Sequence, residues 1–245
     1  MKRKITGALF TLAVLGCVPL EAYALPTLQL DIAGGGYDNS TQTIVTSSDT
    51  FTLYALIKPD SKNTLGDTYY ISAALTPQVN APASLGSFVF NNGTPINVTS
   101  GMSYGVPPLE AILSADPGDL PTHSIFPTYF KEFSFQFNSA NRIASYNSQD
   151  RAISGNAINT AYASNGGMYF AAVNVDVSSL SPGYELHFDL YNSSIKNGDV
   201  DVTKSAPFSH DAETIPSQSV PEPGTLLLMG TGLTGLYFSR RLRRK

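Results

Sequence analysis

Between positions 25 and 219 this 245-residue chain holds 7 basic and 17 acidic residues. Such a surface cannot neutralise a phosphate backbone, so nucleic acid is excluded as a partner. The whole-chain charge of −4 hides this excess of acid, because most of the Lys and Arg sit at the two ends. The single cysteine, Cys17, excludes a disulfide framework within the chain.

The N-terminal segment has the three parts of a secretory signal. Lys2, Arg3 and Lys4 form a positive start, Ile5 to Leu20 is mostly apolar, and Ala22-Tyr23-Ala24 follows. Ala22 and Ala24 place small side chains at the two positions that a signal peptidase tests, so residues 1–24 are expected to be removed after Ala24. Leu15-Gly16-Cys17 loosely follows a lipoprotein box, but Leu15 is bulky for that role and the Ala-x-Ala site is better. Cleavage after Ala24 leaves no thiol to act as nucleophile or metal ligand.

Residues 25–212 read as one β-rich extracytoplasmic domain. Clean two-residue alternation runs through Thr27–Ile32, Phe51–Ile57, Lys131–Phe137 and Tyr169–Val177. In Tyr184–Leu190 it places Tyr184, Leu186, Phe188 and Leu190 on one face. This period means one buried and one wet face, as in antiparallel sheets. Tyr69–Ile71 and Ser87–Phe90 are further expected strands. Turn formers separate them: Gly34-Gly35-Gly36, Asn91-Asn92-Gly93, Asn165-Gly166-Gly167 and Ser181-Pro182-Gly183. A brief helix is expected only over Pro108–Ala115. The pattern predicts an all-β fold, an antiparallel β-sandwich or jelly roll.

Catalytic constellations are not visible. His123, His187 and His210 stand at no metal-binding spacing, and no G-x-S-x-G elbow occurs. His187 falls on the polar face of its strand between Glu185 and Asp189, which reads as a surface histidine among carboxylates. The best metal candidate is Asn197-Gly198-Asp199-Val200-Asp201, where Asp199 and Asp201 alternate in an expected turn and offer oxygens to calcium. Asx residues stabilise such turns without any ion. No other cofactor is expected. The 13 tyrosines allow a glycan-binding face but do not localise one.

Glu213–Ser219 reads as a linker and residues 220–245 as a sorting and anchoring segment. Val220-Pro221-Glu222-Pro223-Gly224 is followed by an apolar run, Thr225–Phe238, and then by Arg240, Arg241, Arg243, Arg244 and Lys245. The run is expected to be a single transmembrane helix, with the basic residues as a membrane stop on the cytoplasmic side. It is shorter than the ~20 residues a span prefers, a mismatch that snorkelling arginines and local thinning accommodate.

This order of motif, apolar core and arginines resembles the PEP-CTERM sorting signal of Gram-negative bacteria. The resemblance implies handling by exosortase, a membrane-embedded protease, and an inner-membrane intermediate on the way to the cell surface. Segments Phe126–Phe130, His187–Asn192 and Ala206–Ala212 are similar to a choice-of-anchor family, type N, which implies surface attachment without catalytic residues. Together they imply a non-enzymatic surface or extracellular-matrix protein linked to exopolysaccharide or biofilm, the alternative being a glycan- or calcium-binding surface module.

Overall fold

A computed structural model describes residues 25–109, 126–150, 158, 166–196 and 199–215. Among these the structure is all-β, with single 3-10 turns at Ser148–Asp150 and Phe208–His210. The strands are β1 (Leu28–Ile32), β2 (Gly36–Asp38), β3 (Thr43–Thr46), β4 (Thr50–Ile57), β5 (Tyr69–Thr76), β6 (Ser87–Phe90) and β7 (Ile96–Asn97). They continue as β8 (Ser103–Gly105), β9 (Thr128–Phe135), β10 (Arg142–Ile143), β11 (Met168–Asp176), β12 (Glu185–Lys196), β13 (Asp199–Ser205) and β14 (Ala212–Thr214).

Two sheets form. One runs β1-β4-β11-β6-β7, with β10 also on β11; the other runs β2-β3-β14-β12-β5-β9-β8, with β13 also on β12. The apolar positions of the alternating strands build one core between them. Leu28, Leu30, Leu53 and Val175 come from the first sheet, and Ile44, Ile71, Leu186, Phe188 and Leu190 from the second. Aromatic contacts bridge the layers: Phe51 meets Phe188 edge-on at 6.1 Å, and Phe90 stacks on Phe133 at 3.8 Å. The two layers bury their facing sides against each other, as a sandwich requires.

The expectation of antiparallel sheets needs one correction. β14 pairs β3 in parallel, Ala212 opposite Ile44 and Thr214 opposite Thr46, so the second sheet is mixed. β14 approaches β12 antiparallel, and β3 flanks its free edge. This closes the last strand into the sheet, and it reaches two residues into the stretch read as linker.

The expected turns carry the geometry their residues favour. Asn91 and Asn92 both have positive φ, at 53° and 55°, and Gly93 N–H donates to Phe90 C=O at 3.0 Å. Two left-handed residues in succession make a type I′ turn, which Asn tolerates. Gly183 has φ +84°, and Tyr184 N–H donates to Ser181 C=O at 3.3 Å, so Ser181-Pro182-Gly183 is a type II turn. Of the expected helix over Pro108–Ala115, residues 110–115 lie outside the described residues.

Candidate functional site: a histidine among carboxylates on the second sheet

β12 turns Leu186, Phe188 and Leu190 into the core, so the alternate residues Glu185, His187, Asp189 and Tyr191 face the opposite side. β14 pairs there, with His187 opposite Glu213 and Phe188 opposite Ala212. Ala212 is in the core, so Glu213 shares the face of His187. Continuing the register by two residues brings Asp211 beside Asp189. A His-x-Asp on one strand and an Asp-x-Glu on its antiparallel neighbour therefore make a four-residue cluster. On the other flank of β12, Ala74 lies opposite His187 and Ser72 opposite Asp189.

The distances define the arrangement. His187 Nε2 lies 3.5 Å from Asp189 Oδ1 and 3.8 Å from Asp211 Oδ2, while Nδ1 lies 4.0 Å from Glu213 Oε2. One ligating atom from each of His187, Asp189 and Asp211 lies within 4.8 Å of the others. Glu213 Oε1 accepts a hydrogen bond from Thr76 Oγ1 at 3.2 Å. The Asp189 and Asp211 side chains are 5% and 1% exposed, whereas His187 and Glu213 keep 20% and 18%, so solvent reaches the cluster from the imidazole side.

Charges buried this way perturb one another. Burial alone disfavours a charged His187, but the carboxylates of Asp189 and Glu213, with Asp211 behind them, outweigh it and hold the imidazole well above its ordinary value. Burial and then the Glu213 charge push Glu185 up to about 7. The cluster thus stores negative charge around one imidazole, an arrangement that attracts cations.

Beyond it on the same face, Ser72 also lies opposite Glu132 of β9, whose carboxylate accepts hydrogen bonds from Tyr191 Oη and from Leu109 N–H, the latter at 2.8 Å. One residue before Asp211, His210 is bound on both nitrogens, by Ser209 Oγ at 2.8 Å and Asn147 Oδ1 at 2.6 Å. Burial depresses His210 to about 4, so it stays neutral.

The residues singled out in the sequence fall differently. Asp199 and Asp201 are strand residues, not turn residues: in β13 they pair Lys196 and Ser194 of β12. Asn197 and Gly198 lie outside the described residues, as do His123, Ala22, Ala24, Val220–Gly224 and the basic residues from Arg240 to Lys245. His187 does lie on the polar face between Glu185 and Asp189, but with its side chain only 20% exposed it is mostly enclosed rather than at the surface. The missing partner was Asp211, whose signal was the register-matched pair of x-separated polar residues in Asp211-Ala212-Glu213.

Among the described residues no helix is long and apolar enough to cross a membrane. The expected span, Thr225–Phe238, lies outside them. No curated protein matches the chain. The choice-of-anchor resemblance gains no support from these comparisons. Residues 219–244 match the PEP-CTERM protein-sorting motif, and that tail implies processing by exosortase through a membrane-held intermediate.

Proposed function

We propose that this chain is a non-enzymatic surface or matrix protein, exported across the inner membrane, held there by its tail and transferred outward by exosortase. The observation that carries this reading is the sorting motif over residues 219–244. A β domain of choice-of-anchor type, with a net acidic surface, suits a soluble life outside the membrane. It serves the exopolysaccharide or biofilm layer, where no chemistry on a substrate is demanded of it.

The decisive experiment replaces Pro221-Glu222-Pro223 with alanines and follows cell fractions in a host with exosortase and in one without. The wild type should leave the inner membrane only where exosortase is present. The variant should remain there with its tail in both hosts. Identical distribution and tail length in all four samples would overturn the sorting reading. Turnover of a polysaccharide by the purified chain would overturn the non-enzymatic one.

A further inference from the structure

We propose that His187 Nε2, Asp189 and Asp211 form a site for a divalent transition ion of the zinc or manganese kind, with Glu213 orienting the imidazole. The first support is metric. Two ligands each about 2.1 Å from an ion, at roughly 110–130° to one another, stand about 3.4–3.8 Å apart. His187 Nε2 stands 3.5 Å and 3.8 Å from the two aspartate oxygens. These two separations fit atoms that share an ion, and one ligand atom of each of the three residues lies within 4.8 Å of the others.

The second support is the shell behind the ligands. A metal-bound histidine almost always presents its other ring nitrogen to a carboxylate, which fixes its orientation. His187 Nδ1 faces Glu213 Oε2 at 4.0 Å, and Thr76 holds the other Glu213 oxygen. The third is independent of the carboxylates. Ser72 is fully buried, lies directly opposite Asp189 in the sheet, and its Oγ has no hydrogen-bond partner. A buried hydroxyl left unbonded carries a cost that a polar neighbour, such as an ion's water shell, removes.

One nitrogen and two carboxylate oxygens favour a borderline ion over calcium or magnesium, which prefer all-oxygen shells. Two aspartates also balance a dication. The ligands come from β12 and from the residue that enters β14, so the ion ties the last strand of the domain to the middle of its sheet, just ahead of the sorting tail.

The test uses the full chain, purified in detergent and stripped with EDTA, titrated calorimetrically with Zn²⁺ and separately with Ca²⁺. One Zn²⁺ should bind per chain, with Ca²⁺ at least 100-fold weaker. His187→Gln and Asp211→Asn should each lower Zn²⁺ affinity at least 100-fold, and Glu213→Gln by about 10–100-fold. No saturable Zn²⁺ binding by the wild type, or unchanged binding by His187→Gln and Asp211→Asn, would overturn the site. Should a variant fail to fold by circular dichroism, pulsed electron paramagnetic resonance of the Mn²⁺-loaded wild type decides. Hyperfine coupling to one imidazole nitrogen supports the site, and its absence overturns it.

Discussion

Two histidines in similar sequence company have their pKa values pushed in opposite directions, and the cause is what surrounds each ring. His187 and His210 both stand within two residues of an aspartate. His187 faces carboxylates on both ring nitrogens. His210 faces the amide oxygen of Asn147, which can only accept, so Nε2 carries the hydrogen and Nδ1 accepts from Ser209. That network fits one neutral tautomer, and His210 is only 3% exposed. Its folded pKa of about 4 lies below the ordinary 6.5. The neutral ring therefore contributes stability that is complete above pH 6.5 and is lost as pH falls through 4. A shift of that size corresponds to a ceiling of about 3 kcal/mol. The prediction is that wild type and His210→Gln differ in urea midpoint at pH 7 and converge between pH 6 and 4. Parallel stability curves across that range would show that His210 is not held neutral by the fold.

At the scale of elements, the hinge into β6 shows how a backbone contact fixes a residue. Gly86 bridges Leu180, Ser87 N–H donates to Ser179 C=O at 3.0 Å, and Val98 N–H donates to Gly86 C=O at 3.0 Å. Gly86 has φ +85°, and a Cβ there would lie 2.0 Å from Ser179 O. Gly183 has a similar φ of +84° but open space around the same position. Gly183→Ala should then cost about 1 kcal/mol, the price of the left-handed backbone alone. Gly86→Ala adds displacement of a bonded carbonyl and should cost about 2–4 kcal/mol. Equal shifts of the denaturation midpoint in the two variants would refute the clash. The same scale explains what the sequence revealed. β1, β4, β9, β11 and β12 were legible because each shows several cycles of alternation, although in β1 the polar positions Gln29 and Asp31 are buried rather than wet. β2, β3 and β14 span only 3 or 4 residues, too few for a period to register. With β14 unseen, Asp211 and Glu213 had no strand to place them opposite Asp189 and His187. The Glu185, His187 and Asp189 side of the cluster was therefore readable and its other half was not. β13 was misread for a different reason: Asn197-Gly198 signals a turn, and the aspartates just after it belong to the returning strand.

For the molecule as a whole, the decisive relation is between the end of the folded domain and the start of the sorting motif. Thr214 closes β14, its Oγ1 accepting from Leu186 N–H at 2.9 Å, and Ile215 N–H donates to Thr46 C=O at 2.7 Å. The motif match begins at residue 219. A fully extended chain gains at most about 3.6 Å per residue, so the four steps from Ile215 span no more than about 14 Å. A protease must grip an extended segment, and X-Pro sequences such as Val220-Pro221 and Glu222-Pro223 favour that form. The fold thus leaves the enzyme little clearance beyond its own grip. Deleting Pro216, Ser217 and Gln218 should slow tail removal several-fold in a host with exosortase, while the domain keeps its melting temperature, because Ala212–Thr214 remain in the sheet. Restoring three residues as Gly-Ser-Gly should restore the rate, since length and not identity sets the clearance. Pulse-chase measurement of the processed fraction checks this. Equal rates for the deletion, the replacement and the wild type would show that exosortase reads the motif flush against the domain, and that β14 imposes no limit on it.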